Sequence, residues 1–284
     1  MLEARADAAG KTVRALGHLA PANLFSLDGK VAFVTGSAGG IALGITQALA
    51  AAGARLALTD RSDEVAERAA ELGRNGVDTA SFVLDITDPD AVAAAFEQAL
   101  TRFGRIDILV NNAGVIVRKP FLDVTLDDWR RVIDTDLTAC FVVAQHAARI
   151  MIAQRSGRII NIGSIMAHVS RPDLVPYVSA KGAIAAFTRA LAADLAGTGV
   201  TVNALAPGYI ATASAWRATS RSTISSATGR RRAGGGGRRI CPDRCCCWLP
   251  KPAGTSTAKP STSTAVFLPS PSSGTVALLC GRKS

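Results

Sequence analysis

From Lys30 onward, short apolar runs alternate with longer stretches in which alanine and charged residues recur at helical spacing. Val31 to Thr35, Arg55 to Thr59, Thr79 to Leu84, Ile106 to Val110, Arg158 to Ile162 and Val200 to Ala206 are rich in Val, Ile and Leu. They predict six strands separated by helix-length segments. Strands apolar on both faces belong to a parallel sheet covered by helices on each side. Asp88-Pro89 predicts a helix start, with a capping acid and a proline in the first turn, and Gly104 predicts its end. The pattern implies an α/β fold with a doubly wound parallel sheet (Rossmann type), in a single domain with an irregular C-terminal tail.

The first strand runs into Thr35-Gly36-Ser37-Ala38-Gly39-Gly40-Ile41, and a helix is expected from there to about Ala52. Glycines in such a turn let the backbone approach a pyrophosphate, whose charge is met by amide N–H groups and the positive end of the helix. Asp60 ends the second strand 20 residues after Gly40, where a carboxylate can accept from a ribose 2′-hydroxyl. A carboxylate there repels a 2′-phosphate. Arg61 beside it can instead pair with one or stack on adenine. NAD is therefore the expected cofactor, with NADP as the alternative.

The charge of +10 divides unevenly. Residues 1–212 carry 20 Lys and Arg against 21 Asp and Glu, whereas residues 213–284 carry 12 against the single Asp243. Five of the six cysteines also lie in that last quarter, leaving Cys140 in the body. This fits a reducing compartment without a disulfide framework. Apolar runs stop short of the roughly 20 residues a membrane span needs, and Glu3 and Asp7 interrupt any apolar leader. A cytoplasmic protein with a small-molecule substrate, and with neither a membrane nor a nucleic-acid partner, is expected.

The chemistry is concentrated after the fifth strand. Tyr177 and Lys181 stand four apart at the start of a long predicted helix, so they share a face. An ammonium near a phenol favours the phenolate. Such a tyrosine can take a proton from an alcohol while hydride leaves its carbon, and Ser164, at a strand end, can hydrogen-bond the same oxygen.

Together these residues resemble the short-chain dehydrogenase/reductase family. The resemblance rests on Thr35-Gly36-x-x-x-Gly40-Ile41, Asp85, Asn111-Asn112-Ala113-Gly114, Ser164, Tyr177-x-x-x-Lys181 and Asn203-x-x-x-Pro207-Gly208, and covers about residues 26–212. It implies hydride transfer between a nicotinamide and a secondary alcohol or ketone. Tyr177 is then the general acid/base, Lys181 holds the nicotinamide ribose, and Ser164 polarises the carbonyl. Gly36, Ser37, Gly39, Gly40 and Ile41 are implied cofactor contacts, as are Asp60, Arg61, Asp85, Ile86, Asn111, Asn112, Ala113 and Gly114. Pro207, Gly208, Ile210 and Thr212 would reach the nicotinamide. A tetrameric homo-oligomer is also implied.

Two positions depart from the family. Ala42 replaces a common third glycine, and Asp136 stands where an Asn usually holds a water in the proton relay; an Asp cannot donate unless protonated. Ile165, His168, Val169, Arg171 and Tyr209 are expected to flank the substrate, with His168 and Arg171 suited to a polyhydroxylated or carboxylated molecule. Val117-Arg118-Lys119-Pro120 and Asp60-Arg61 look most like sugar-acid and polyol dehydrogenases such as gluconate 5-dehydrogenase. The 3-oxoacyl-carrier-protein reductases are the nearest rival, and a nucleotide-binding pseudoenzyme is the other alternative.

The chain divides into an N-terminal extension (1–25), a dinucleotide-binding catalytic domain (26–212) and an aberrant tail (213–284). Read literally, the tail is a basic irregular arm, or a metal site in Cys241-x-x-x-Cys245-Cys246-Cys247. A displaced reading frame accounts for it better. If the first two bases of each codon are the last two of the true codon, Arg231 to Cys241 become Pro-Ala-Gly-Arg-Trp-Gly-Arg-Pro-Glu-Asp-Leu, text the family carries after its substrate loop. Thr275 to Cys280 is expected to pair as a short edge strand by accident of composition.

Overall fold

The computed structural model describes residues 25–210 and the strand Val276–Leu279. Along the chain run β1 (Val31–Thr35), α1 (Ile41–Ala51), β2 (Arg55–Asp60), α2 (Glu64–Arg74), β3 (Thr79–Val83), α3 (Pro89–Phe103) and β4 (Ile108–Asn111). Then come α4 (Leu126–Ile133), a π-helical turn (Asp134–Thr138), α5 (Ala139–Gln154), β5 (Gly157–Ile162), α6 (Val175–Asp194), β6 (Val200–Pro207) and β7 (Val276–Leu279). The strands form one sheet in the order β3-β2-β1-β4-β5-β6-β7, and every pairing is parallel. The order reverses between β1 and β4, so a crevice opens there at the carboxyl ends of the strands.

Apolar residues on both sides of each strand divide the core in two. On one face α3 and α5 pack Phe96, Val143 and Met151 onto Phe33, Leu109 and Ile159, with Phe187 and Leu191 of α6 alongside. On the other, α1 and α2 cover Val34, Leu56 and Leu58 with Ala42, Val65 and Ala69. The Phe33 and Phe96 rings stack with centroids 4.3 Å apart. Leu126–Gln154 is a continuous helical run of 29 residues, long and apolar enough by length and composition to cross a bilayer. Here Val132, Ala139, Val143, Ala147 and Met151 are buried inside the protein, whereas Leu126, Phe141 and Ile152 of the same run are exposed.

Local chemistry sets the boundaries. The Asp88 carboxylate accepts from the Asp90 and Ala91 amides at the start of α3, and Gly104 ends it with φ 76°, a left-handed conformation that glycine adopts without strain. Thr125 and Asp128 cap the start of α4 with reciprocal side-chain-to-backbone bonds. β4 begins at Ile108, two residues later than the apolar run predicts. The Gln154 side chain occupies both backbone groups of Ile106, and Asp107 turns back to accept from the Val31 amide. The predicted pairing of Thr275 to Cys280 is observed as β7, which lies parallel to β6 with Ala204 opposite Val276.

Candidate active site

The turn between β1 and α1 is held from two sides. Gly36 has φ +64°, and a Cβ placed there would lie 2.7 Å from the Ala113 Cα. This close approach is fastened by Asn112, whose Nδ2 donates to the carbonyls of Thr35 and Gly36 at 3.0 Å each. Thr35 Oγ1 in turn accepts from the amides of Asn112 and Ala113. The space above the turn is open: a Cβ on Gly39 or Gly40 meets no atom within 4 Å. Gly40, at the N-terminus of α1, supplies no side-chain cap. Open space over uncapped helix amides fits a pyrophosphate.

Asp60 ends β2 against this turn. Its carboxylate accepts from the Ala38 amide at 3.0 Å and from the Ser62 amide at 3.0 Å, which fixes a negative group beside the glycine turn. Arg61 is exposed beside it. Asp85, past the end of β3, accepts from the backbone and side chain of Thr87; those hydrogen bonds, with Arg61 nearby, hold its carboxyl below the usual range.

Some polar residues near the crevice serve to build it. Both the amide and the hydroxyl of buried Ser37 donate to the Thr59 carbonyl, so its side chain closes the turn onto β2 rather than facing a ligand. Asn111 is also buried, and donates to Asn161 Oδ1 at 3.0 Å and to the Cys140 carbonyl. Ile86 packs within the core. The sequence reading did not single out Asn161 and Thr188, which continue the Asn111 network: Asn161 Nδ2 donates to Thr188 Oγ1 at 3.0 Å. The available signal was an Asn in the otherwise apolar Ile159-Ile160-Asn161-Ile162.

Ser164 follows β5, is 8% exposed, and accepts from the Met166 amide at 3.1 Å. Tyr177 lies half-buried in the first turn of α6. One turn later Lys181 is buried, donates to the Ile162 carbonyl at 3.0 Å, and places its Nζ 5.6 Å from the centre of the Tyr177 ring. The strand end that carries Ser164 thus also fixes the ammonium beside the phenol.

Asp136 completes this cluster from the π-helical turn and is 2% exposed. Its Oδ1 accepts from the Val115 amide at 2.7 Å, and its Oδ2 lies 3.3 Å from Lys181 Nζ. Burial pushes its carboxyl up, while the Lys181 ammonium and the Val115 amide oppose that shift. Exposed Gly114 lies close against this carboxylate: a Cβ there would lie 3.0 Å from Oδ2, tighter than an ordinary contact.

Pro207 and Gly208 leave the end of β6, followed by exposed Tyr209 and Ile210. Thr212, residues 1–24 and the cysteine cluster of the tail lie outside the described residues. Arg171 donates to the Tyr209 hydroxyl at 3.3 Å, linking the loop before α6 to the segment after β6. Beside it a cavity of about 540 Å³ is lined by Pro120, Phe121, Ser170, Arg171, Pro172, Asp173 and Val175. His168 and Val169 are exposed on the same loop. Among the described residues no group of three or more His, Cys, Asp or Glu is placed to hold a metal ion.

A glycine turn at the switch point of a parallel sheet, with a Ser, Tyr and Lys set at the ends of β5 and α6, defines a dinucleotide-dependent oxidoreductase class. Residues 30–223 match the short chain dehydrogenase family, and the chain belongs to it. The chain is 39% identical over 191 residues to gluconate 5-dehydrogenase of Gluconobacter oxydans, covering 67% of this chain and 75% of that one. It is 39% identical over 189 residues to a 3-oxoacyl-[acyl-carrier-protein] reductase of Synechocystis, covering 66% and 76%. Among solved structures, a gluconate 5-dehydrogenase from Burkholderia cenocepacia in complex with NADP and tartrate superposes with a TM-score of 0.67 at 38% identity, covering 73% of this chain and 80% of that one.

Proposed function

We propose that the chain is a cytoplasmic, NAD(H)-preferring oxidoreductase that interconverts a secondary alcohol and a ketone on a sugar acid or polyol. The observation that carries this reading is the Lys181 ammonium, fixed by the Ile162 carbonyl one helical turn from Tyr177 and 5.6 Å from its ring. The nicotinamide, when bound, supplies or accepts the hydride. The chain's own residues handle binding and the proton. Tyr177 exchanges a proton with the substrate oxygen, Ser164 hydrogen-bonds that oxygen, and Lys181 favours the phenolate and reaches the ribose. The glycine turn seats the pyrophosphate. Gly114, Pro207, Gly208 and Ile210 line the way to the reacting carbon.

Asp60 supports NAD over NADP, because a carboxylate pinned by two amides cannot turn away from a 2′-phosphate. Arg171 supports a carboxylated substrate. It offers a guanidinium at the rim of the cavity, and Tyr209 orients it. The gluconate 5-dehydrogenase relatives point the same way.

The test is turnover of gluconate and 5-ketogluconate, against an acetoacetyl thioester, with NADH and NADPH as alternative cofactors. Sugar-acid turnover with NADH, abolished in Tyr177→Phe, is expected. Thioester reduction alone would move the chain to the acyl-carrier-protein reductases. Cofactor binding without turnover of either class would make it a nucleotide-binding pseudoenzyme.

A further inference from the structure

The least ordinary group in the site is Asp136. A second ionisable side chain, 2% exposed, faces the ammonium that is meant to act on Tyr177. Its Oδ1 is already taken by the Val115 amide at 2.7 Å. Its Oδ2 has no hydrogen bond among the described residues and lies 3.3 Å from Lys181 Nζ, in ion-pair contact. Lys181 is therefore held between a neutral acceptor, the Ile162 carbonyl, and an acid.

We propose that Asp136 is a positioning residue that sets the proton affinity of Tyr177 through Lys181, by cancelling part of the ammonium's field at the phenol. A positive charge beside a phenol favours the phenolate, and a negative charge just beyond it subtracts from that effect. With an uncharged residue at 136, the ammonium would act on Tyr177 without that opposition.

The surrounding groups leave this pair in control. From α6 come Lys181 and Tyr177, and from α5 comes Cys140, whose thiol burial pushes up to about 12, so that it stays neutral. The segment after β4 presents backbone at Gly114 and Val115, and β5 contributes the Ile162 carbonyl and the uncharged Ser164. Burial raises the Asp136 carboxyl, while the Lys181 ammonium and the Val115 amide oppose that shift by favouring its charged form.

The chain contains two tyrosines, Tyr177 and Tyr209, so a Tyr209→Phe background isolates Tyr177 in an ultraviolet phenolate titration of the full chain. In that background Asp136→Asn is expected to lower the alkaline midpoint by about one pH unit, a tenfold change in proton affinity, and Lys181→Met to raise it. Asp136→Ser removes the same charge with a different shape and is expected to shift the midpoint in the same direction. A midpoint unmoved by both neutral variants, while Lys181→Met moves it, would overturn the proposal. Failure of both to fold, seen by circular dichroism, would assign Asp136 to the fold and overturn it as well.

The inference rests on Tyr177 and Lys181 as the proton-handling pair, yet the titration reads the phenol and not turnover. Shifts as expected in a chain that turns nothing over would defeat the functional reading alone. Turnover with no shift would defeat this one alone.

Discussion

Two glycines of one turn, three residues apart, are expected to fail in different ways when a methyl group is added. At Gly36 the new Cβ would lie 2.7 Å from the Ala113 Cα and 3.0 Å from its nitrogen, and φ is +64°. The obstacle is backbone, so neither side can swing away. The left-handed conformation costs a non-glycine residue about 1–3 kcal/mol, and forced overpacking adds about 1–3 kcal/mol. Gly36→Ala should therefore lose roughly 2–6 kcal/mol, much of the stability of an ordinary domain. At Gly39 the Cβ meets nothing within 4 Å and φ lies outside the left-handed range. Gly39→Ala should leave stability unchanged or raise it by up to about 1 kcal/mol, through the lost freedom of the unfolded chain. The open space it fills is where a pyrophosphate would approach the backbone, so NADH affinity should fall at least tenfold, about 1.4 kcal/mol. Urea denaturation measures the first quantity and a fluorescence titration with NADH the second. Undiminished NADH binding by a folded Gly39→Ala variant would refute the cradle. Wild-type stability in Gly36→Ala would refute the contact between the turn and Ala113.

Asp107 lies at the opposite end of the sheet. Burial pushes its carboxyl up, but hydrogen bonds from Arg105, the Val31 amide and Lys30 outweigh this and hold it below the usual value. A lowered carboxylate contributes stability above its unfolded value of about 3.9, and the contribution disappears as pH falls through the lower folded value. Asp107→Ala strips the fully buried Val31 amide of its acceptor and should cost about 1–3 kcal/mol near neutrality; the gap to wild type in urea should narrow in strong acid. Asp60→Asn keeps an acceptor for one of the two amides and removes the charge, so the preference for NADH over NADPH should shrink about tenfold by comparative titration, roughly the loss of one charge repulsion at the protein surface.

The strands were legible because each is a run apolar on both faces, and such runs have few alternatives to the middle of a parallel sheet. The caps of α3 were legible because Asp88, Pro89 and Gly104 act within a few residues of themselves. What stayed hidden depends on partners far along the chain. Ile106 looks like strand until Gln154, 48 residues later, takes both of its backbone groups. Ser37 and Asn111 sit in cofactor-like text, yet their hydrogen bonds go to Thr59 and Asn161, so they shape the crevice from beneath. The sequence marks Asp136 as an unusual residue. Only the fold shows that a lysine 45 positions away faces it.

The tail supplies the remaining argument. The family match ends at residue 223, and the aligned relatives extend beyond the matched segment, which covers about three quarters of their length. Tail text displaced by one base would account for this stop, because Arg231 to Cys241 would then encode Pro-Ala-Gly-Arg-Trp-Gly-Arg-Pro-Glu-Asp-Leu. In the present frame, the Val276–Leu279 run pairs with β6 because four apolar residues suit the pleated edge of a sheet, not because its wording is that of the family. The coding DNA decides between the two accounts. If the codons after Thr212 reframe as stated, a chain carrying the restored tail should extend the family match past residue 223, and should unfold at higher temperature than the present one. Codons that cannot be reframed would leave the tail as the protein's own design and end the displaced-frame account.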